Sequence, residues 1–572
     1  MKRREFCKVL GMGAGAAAAL PLASNLKGIT TPPTQGEDLV PSFPVSEWQA
    51  VVDEGWGPTG DQVGPGTWDG VPLKAPPIPG LAGKGPFKPD WESLLNYEAP
   101  EWYRDAKFGI WAHWSPQCVP ENGDWYARNM YIQGQGQYNY QLEHYRHPSK
   151  FGYKDLCAQW TLLNWEPEAL IERYKRAGAR LFLALADHHD GFDTWDSKYH
   201  AWNAKNIGPR RDVIGAWAAA ARQQGLRFGV TVHAARNWWW FQVAHLSDKT
   251  GKLKGVPYDG QLTIEEGRNE WWQGYDPQEL YGRKHGIKEN PDEKYVRNFY
   301  DRVRDLIDQH DPDLLYFDNG GLPLGWAGMN IGAYFYNHNL KTHSGRLEGV
   351  MTIKQVPDKH AKAVVADYER GVTAKIMPHP WQSETCIGDW HYNRALYINH
   401  TYMKPGEVIH WLVDAVSKNG TFILNIPGKP DGTNDSDEVA ILDAIGKWME
   451  TNGEAIYSTR PWKVFGEGPN VIKSGSFSGN STGLLGAKNI RFTSNKKGDV
   501  VYAIFLGWPR GESFVIKSLG TSSPQKPGKI RSVEMLGSVE KLKWTQSPES
   551  LTIHKPSMKP GDFAFALKIR TA

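Results

Sequence analysis

The chain has 572 residues, 40% of them hydrophobic and 23% charged, with 66 Lys and Arg against 63 Asp and Glu. This composition excludes wholesale disorder, a many-span membrane protein and a collagen-like fibre, and a formal charge of +3 leaves no basic field for a dedicated nucleic-acid binder. Aromatic content is the outlier, at 26 Trp, 24 Tyr and 20 Phe; flat rings suit a protein that handles sugars, and a large core uses them as well.

Residues 1–23 pair Arg3-Arg4 with Phe6 and Lys8 and continue into a Gly/Ala-rich, mildly apolar run. The pattern resembles a bacterial twin-arginine export signal. The apolar part is too short for a membrane span of ~20 residues, and no Cys follows it to take a lipid. The expectation is therefore a periplasmic or secreted protein without a membrane anchor. Residues 24–92 are rich in Pro and Gly and carry Trp48, Trp56 and Trp68, which predicts an irregular extension wrapped on the next domain rather than a free linker. Cys118, Cys157 and Cys386 are too few and too scattered for a disulfide framework, and without a CxxC pair they predict no structural zinc site.

From about residue 95 short apolar runs alternate with amphipathic segments. Strands are expected at 106–111, 181–186, 228–232, 314–317 and 421–426. Helices are expected at 167–177, 212–224, 292–310, 407–417 and 438–449. In the helix at 292–310, Tyr295, Phe299, Val303 and Leu306 form the apolar stripe. Alternation of this kind implies parallel strands with crossover helices, which a (β/α) barrel and an open doubly wound sheet both satisfy. After Pro461 the helical period stops, and runs at 500–506, 513–516 and 563–569 predict an all-β sandwich. The expected division is an export signal at 1–23, an extension at 24–92, an α/β barrel at 93–460 and a β-sandwich at 461–572.

The chemistry collects just after the predicted strands. His113 follows FGIWA, His188, His189 and Asp190 follow LFLALAD, His233 follows FGVTV and Asp318 follows LLYF. Titratable groups at the C-terminal ends of several strands mark the rim where a parallel barrel builds its active site. A metal held by His113, one of His188 and His189, and Asp318 is the less favoured use of these groups, since hydrogen bonding to a polyhydroxylated ligand needs the same side chains without fixed coordination geometry. Adjacent His188 and His189 point to opposite faces if the backbone there is extended. No GxGxxG or GxxxxGK[ST] opens a helix after a strand outside the export segment, so a nucleotide enzyme has no support.

EWYRDAKFGIWAHWSP at 101–116, DWYARNMY at 124–131, HHDGFDTWDSKYHAWNAKNIGPRRD at 188–212, LLYFDNG at 314–320, LVDAVSKNGTFILNI at 412–426 and GKWMETNGEAIYSTRPW at 446–462 together resemble the α-L-fucosidases of glycoside hydrolase family 29. The resemblance implies a TIM-like (β/α) barrel, often irregular, with a C-terminal β-sandwich. It also implies a retaining exo-glycosidase that needs no metal or organic cofactor and takes a fucose-containing oligo- or polysaccharide. By the same resemblance Asp318 is the nucleophile. His113, His188 and His189 hydrogen-bond the sugar, Trp125 contacts its hydroxyls or ring face, and Arg370 binds substrate or holds a carboxylate. The acid/base varies within the family. Glu384, flanked by Trp381 and Trp390 in a setting that raises its pKa, is the choice here. Glu369, kept charged by neighbouring Arg370, and Asp389 stand in reserve.

Five pocket positions depart from the common pattern: Asp124 for Glu, Tyr316 for Trp, Asn319 between the nucleophile and its glycines, His233 for Tyr or Ser, and His391 for Gly. They leave the mechanism in place and open the substrate to a related L-sugar, chiefly an α-L-galactoside, with His233 and His391 as the specificity candidates. The other readings are a carbohydrate-binding protein that has lost catalysis and a metal-dependent hydrolase.

Overall fold

The computed structural model describes residues 80–571 except 287–288, 471, 480–481 and 483–484. The export segment and most of the extension lie outside the described residues. Eight parallel strands close into a barrel in sequential order: β1 (Phe108–Ala112), β2 (Leu181–Asp187), β3 (Arg227–Val232), β4 (Leu314–Gly320), β5 (Val350–Lys354), β6 (Val365–Glu369), β7 (Trp381–Cys386) and β8 (Gly420–Asn425). Closure comes from β1 pairing with both neighbours, Ile110 opposite Phe182 of β2 and Leu424 of β8. No helix among the described residues is long and apolar enough to cross a membrane.

The helices form where the sequence places caps. Pro167 opens the helix Pro167–Arg176, which buries Leu170, Ile171 and Tyr174 and carries Arg173, Lys175 and Arg176 in its last turn, where cations complement the helix dipole. Asp292 caps the helix Glu293–His310 by accepting from the Tyr295 N–H, and Asp311 ends it in a left-handed conformation. Two expectations shift. Residue 106 belongs to the helix Glu101–Ala106, and the strand starts at Phe108 because Lys107 turns the chain at φ 61°. Strands β5, β6 and β7 are additional to those read from the sequence.

The lower barrel interior is an apolar plug of Leu181, Leu183, Leu314, Val350, Val365 and Ile423, topped by Trp111 and Tyr316. The chain before the barrel packs on its side: the Asn337 side chain accepts from Phe87 N (3.0 Å) and donates to the carbonyls of Ala82 and Phe87.

After the barrel, β9 (Arg460–Glu467), β10 (Ile490–Ser494), β11 (Val500–Phe505), β13 (Ile530–Met535) and β16 (Phe565–Thr571) form a five-stranded sheet, while β12 (Ser513–Ile516), β14 (Trp544–Gln546) and β15 (Leu551–His554) form a second. All their pairings are antiparallel. A buried ion cluster fixes this unit to the barrel. Asp414, on the helix Pro405–Ser417, accepts from Arg491 Nε of β10 (2.6 Å) and from Lys418 Nζ (2.7 Å). Charges taken out of water are tolerated when paired this closely.

Candidate active site

The C-terminal mouth of the barrel holds a cavity of about 280 Å³. Its lining includes Asp124 and Trp125 from the loop after β1, His188 and His189 after β2, Tyr316 and Asp318 from β4, Lys354 ending β5, Glu369 ending β6, and Glu384 on β7. His113, His233 and Trp390 also face it. Ten of the twelve site residues expected from the sequence, Asp318 and Glu384 among them, line this one pocket; the rule for barrel rims accounts for His113, His188, His189, His233 and Asp318, and the family resemblance for the rest.

Local geometry explains the aim of each group. His188 and His189 both line the cavity, against the expectation of opposite faces. The register of β2 shifts between Leu185 and Asp187, and the chain leaves extended conformation at His188, so strand alternation no longer applies. Asp187 accepts from the N–H groups of His233 and Ala234 (2.7 and 2.8 Å), which fixes the turn that presents His233. Asn425 of β8 accepts from His113 N and donates to Trp390 O, tying two walls together.

Asp318 sits in a dense field of donors. Lys354 Nζ contacts its Oδ1, while His189 Nε2 and His233 Nδ1 each lie 3.2 Å from Oδ2. Burial alone disfavours the carboxylate, but the Lys354 ammonium and then the two histidines outweigh it and hold the Asp318 pKa well below the usual carboxylate range. Lys354 also lies 2.5 Å from Glu369 Oε2 and 3.9 Å from Glu384 Oε1. Its own pKa is raised because these carboxylates overcome the cost of its burial.

Glu384 has the opposite environment. It is 1% exposed, accepts from the Tyr316 hydroxyl at 3.0 Å, and lies against the Asp367 carboxyl. Burial, reinforced by nearby Asp367, pushes its pKa well above the usual range, and burial lifts Asp367 to about 7. Four carboxyls thus surround one ammonium, and the two deepest favour the protonated form. The Glu369 side chain is 21% exposed and lies nearer the opening.

Three of the histidines are shifted away from the charged form. Burial and the neighbouring imidazoles place His113 and His188 well below their ordinary value, and burial takes His233 to about 4. His113, His188 and His391, or His188, His189 and His233, are near enough to hold a metal ion. Several of these nitrogens are engaged within the protein: Gln117 Nε2 donates to His188 Nδ1 (2.7 Å), His189 Nδ1 donates to His233 O (2.8 Å), and His391 Nε2 meets Ser115 Oγ (2.9 Å).

Three predicted residues stand behind the lining. His391 is fully buried with its ring 4.8 Å from that of His113, so it stands behind the wall rather than on the cavity surface. Arg370 donates to Cys386 Sγ and Gly388 O and places its guanidinium over Trp390, which makes it a prop for that ring. Asp389 is engaged with Asn393. Asp124 lines the pocket, yet its carboxylate is spent on the N–H groups of Trp390 and His391 (2.9 and 2.8 Å).

Lys354, Arg236, Gln355, Ser476 and Phe477 also line the cavity and were not singled out from the sequence. The rule that found Asp318 also covers Lys354, a charged residue ending a strand, once VMTIK is read as β5. For Ser476 and Phe477, more than 100 residues beyond β5, no local pattern signals a site.

A carboxyl of lowered pKa clustered with carboxyls of raised pKa around one ammonium, at the mouth of a parallel barrel, points to the glycoside hydrolase class. Comparison with known proteins is more specific. The alpha-L-fucosidase family model matches residues 81–454, and the alpha-L-fucosidase C-terminal domain model matches 486–570. The chain belongs to the alpha-L-fucosidase family. It is 28% identical over 499 residues to human tissue alpha-L-fucosidase, covering 84% of this chain and 91% of the human protein. It is 26% identical to the alpha-L-fucosidase of Branchiostoma floridae, over 85% of this chain and 96% of that one. Among solved structures, the Thermotoga maritima alpha-fucosidase in complex with a mechanism-based inhibitor superimposes with a TM-score of 0.63 at 25% identity, over 85% of this chain and all of that one.

Proposed function

We propose that the protein removes terminal α-L-fucosyl residues from glycans by a retaining, two-step mechanism, with Asp318 as nucleophile and Glu369 as acid/base. The observation that carries this reading is the environment of Asp318: a carboxylate kept ionised by Lys354 at the mouth of a parallel barrel. An Asp318 oxygen attacks the anomeric carbon as the bond to the leaving oxygen breaks, and that oxygen takes a proton from Glu369. Glu369 then accepts a proton from water, the water oxygen attacks the anomeric carbon, and Asp318 is released with the sugar's configuration retained. The mechanism-based inhibitor held by the Thermotoga maritima protein supports a covalent route in a similar fold.

Position favours Glu369 over the residue chosen from sequence. Two oxygens on one ammonium lie no further apart than the two contacts combined, which sets Asp318 and Glu369 within the ~5–5.5 Å typical of retaining enzymes. The leaving oxygen carries a chain that must reach solvent, and Glu369 is the carboxyl nearer solvent. Glu384 remains the second reading because its carboxyl is the one held protonated.

The test pairs aryl α-L-fucoside with aryl α-L-galactoside, for wild type and Asp318→Ala. Faster fucoside turnover, reduced on the order of 10⁴-fold or more in the variant, is the expected result. Preference for the galactoside would keep the mechanism and move the sugar, with His233 the first residue to inspect. Near-normal rates in the variant would remove Asp318 as nucleophile.

A further inference from the structure

The cavity is at the small end of small-molecule sites, so a glycan bound by its terminal sugar leaves its remaining rings at the mouth. Among the described residues, the exposed large hydrophobic side chains that line this cavity are Trp125, 42% exposed, and Phe477, 55% exposed. Both hold left-handed backbone, each with φ near 60°, and the lining residue Gln355 does so at φ 52°. For a bulky side chain that conformation is costly and tends to be kept at functional sites.

Phe477 arrives by a route the barrel does not explain. Segment 475–479, beyond β9, runs alongside the end of β6. Gly475 forms an antiparallel bridge with Val372, Phe477 N donates to the carbonyl of Glu369 (2.8 Å), and Gly479 N donates to that of Arg370 (2.8 Å). The fit is close enough to require glycine on both sides. A Cβ at Gly479 would collide with the Trp411 ring, and one at Gly371 would stand 2.6 Å from the Gly475 carbonyl oxygen. Segment and strand end are thus built to meet, and their meeting sets Phe477 and Ser476 beside Glu369.

We propose that Phe477 and Ser476 form the subsite for the leaving group, and that its occupant is a pyranose ring. An aromatic face gives apolar cover to the C–H side of a sugar ring, while the Ser476 hydroxyl supplies a polar group for its hydroxyls. This inference rests on the proposed function and adds the chemistry of the group released.

The experiment compares kcat/KM for an α-L-fucosyl disaccharide with that for α-L-fucosyl fluoride, whose leaving group is one atom and reaches no subsite. In Phe477→Ala the ratio of disaccharide to fluoride should fall about tenfold, the scale of one aromatic contact, and Phe477→Tyr should restore most of it. An unchanged ratio overturns the proposal, and so does an equal fall for methyl α-L-fucoside, whose leaving oxygen needs the same proton from Glu369 but carries no ring, because a disturbed Glu369 would slow the methyl fucoside and the disaccharide alike. A wild-type enzyme that hydrolyses neither substrate overturns the proposed function itself and this inference with it. Turnover of the fluoride without any turnover of fucosyl disaccharides overturns the subsite alone.

Discussion

The two ends of the barrel interior are built on opposite rules. Below Trp111 and Tyr316 the space is filled by Leu181, Leu183, Leu314, Val350, Val365 and Ile423, side chains that need only volume. Above them stand four carboxyls, one ammonium and a wall of imidazoles, most of them placed by specific contacts. The lower end secures the fold through burial, which is non-directional. The upper end spends part of that stability on charges close together and out of water. The contrast teaches that the apolar plug is what allows the mouth to be expensive: eight strands fixed from below can hold Asp318, Glu369 and Glu384 at set distances from Lys354.

Substitutions at each end sharpen this contrast. After the loss expected for Asp318→Ala, the largest effect belongs to the proton donor. Glu369→Ala should lower turnover of a fucosyl disaccharide by about 10²–10⁴-fold and that of an activated aryl fucoside far less, because protonation matters least for a good leaving group. Steady-state kinetics on both substrates, with Glu384→Gln alongside, decide the matter. If the leaving-group dependence appears in Glu384→Gln instead, the proton donor is Glu384. At the other end, Leu183→Ala should cost about 2–5 kcal/mol of stability by opening a cavity in the plug, read from urea midpoints at constant slope. A cost below about 1 kcal/mol would mean that the plug does not secure the barrel.

The smallest effect is a displacement on the pH axis. Lys354 lowers the Asp318 pKa, and the nucleophile must be ionised, so the acid limb of kcat/KM in the native enzyme lies below the usual carboxylate range. In Lys354→Met, burial is no longer opposed by the ammonium and the limb should move up by about one unit or more. The linked stability has the same sign. A depressed carboxylate contributes stability above its unfolded pKa and loses it as pH falls through the folded value, so the contribution of Asp318 is lost only in strong acid. A pH–rate profile with an unmoved limb would deny Lys354 this role.

Legibility in the sequence follows the same division. Strands with continuous apolar runs, such as LFLALAD in β2 and LLYF in β4, announce themselves, and the polar groups after them gave His113, His188, His189, His233 and Asp318. Strands β6 and β7 escape because VADYE and WQSETC devote their inward positions to Asp367, Gln382 and Glu384. The functional residues there erase the apolar period that would reveal the strand. The resemblance to the family supplied the roles, yet it could not separate residues that touch the cavity from His391 and Arg370, which brace it from behind. It also could not anticipate Phe477, whose place depends on backbone pairing between residues about 100 positions apart.

That pairing has a consequence for how the enzyme comes into being. A chain emerges from its N-terminus at about 5–20 residues per second, and all eight strands of the barrel are present by Asn425. The mouth is still unfinished at that moment. The carbonyls of Glu369 and Arg370 wait for Phe477 and Gly479, and Asp414 waits for Arg491. A nascent chain stopped at the end of the barrel holds every carboxyl of the reaction and lacks the edge that borders them, so the working pocket is completed only by sequence made after the barrel itself.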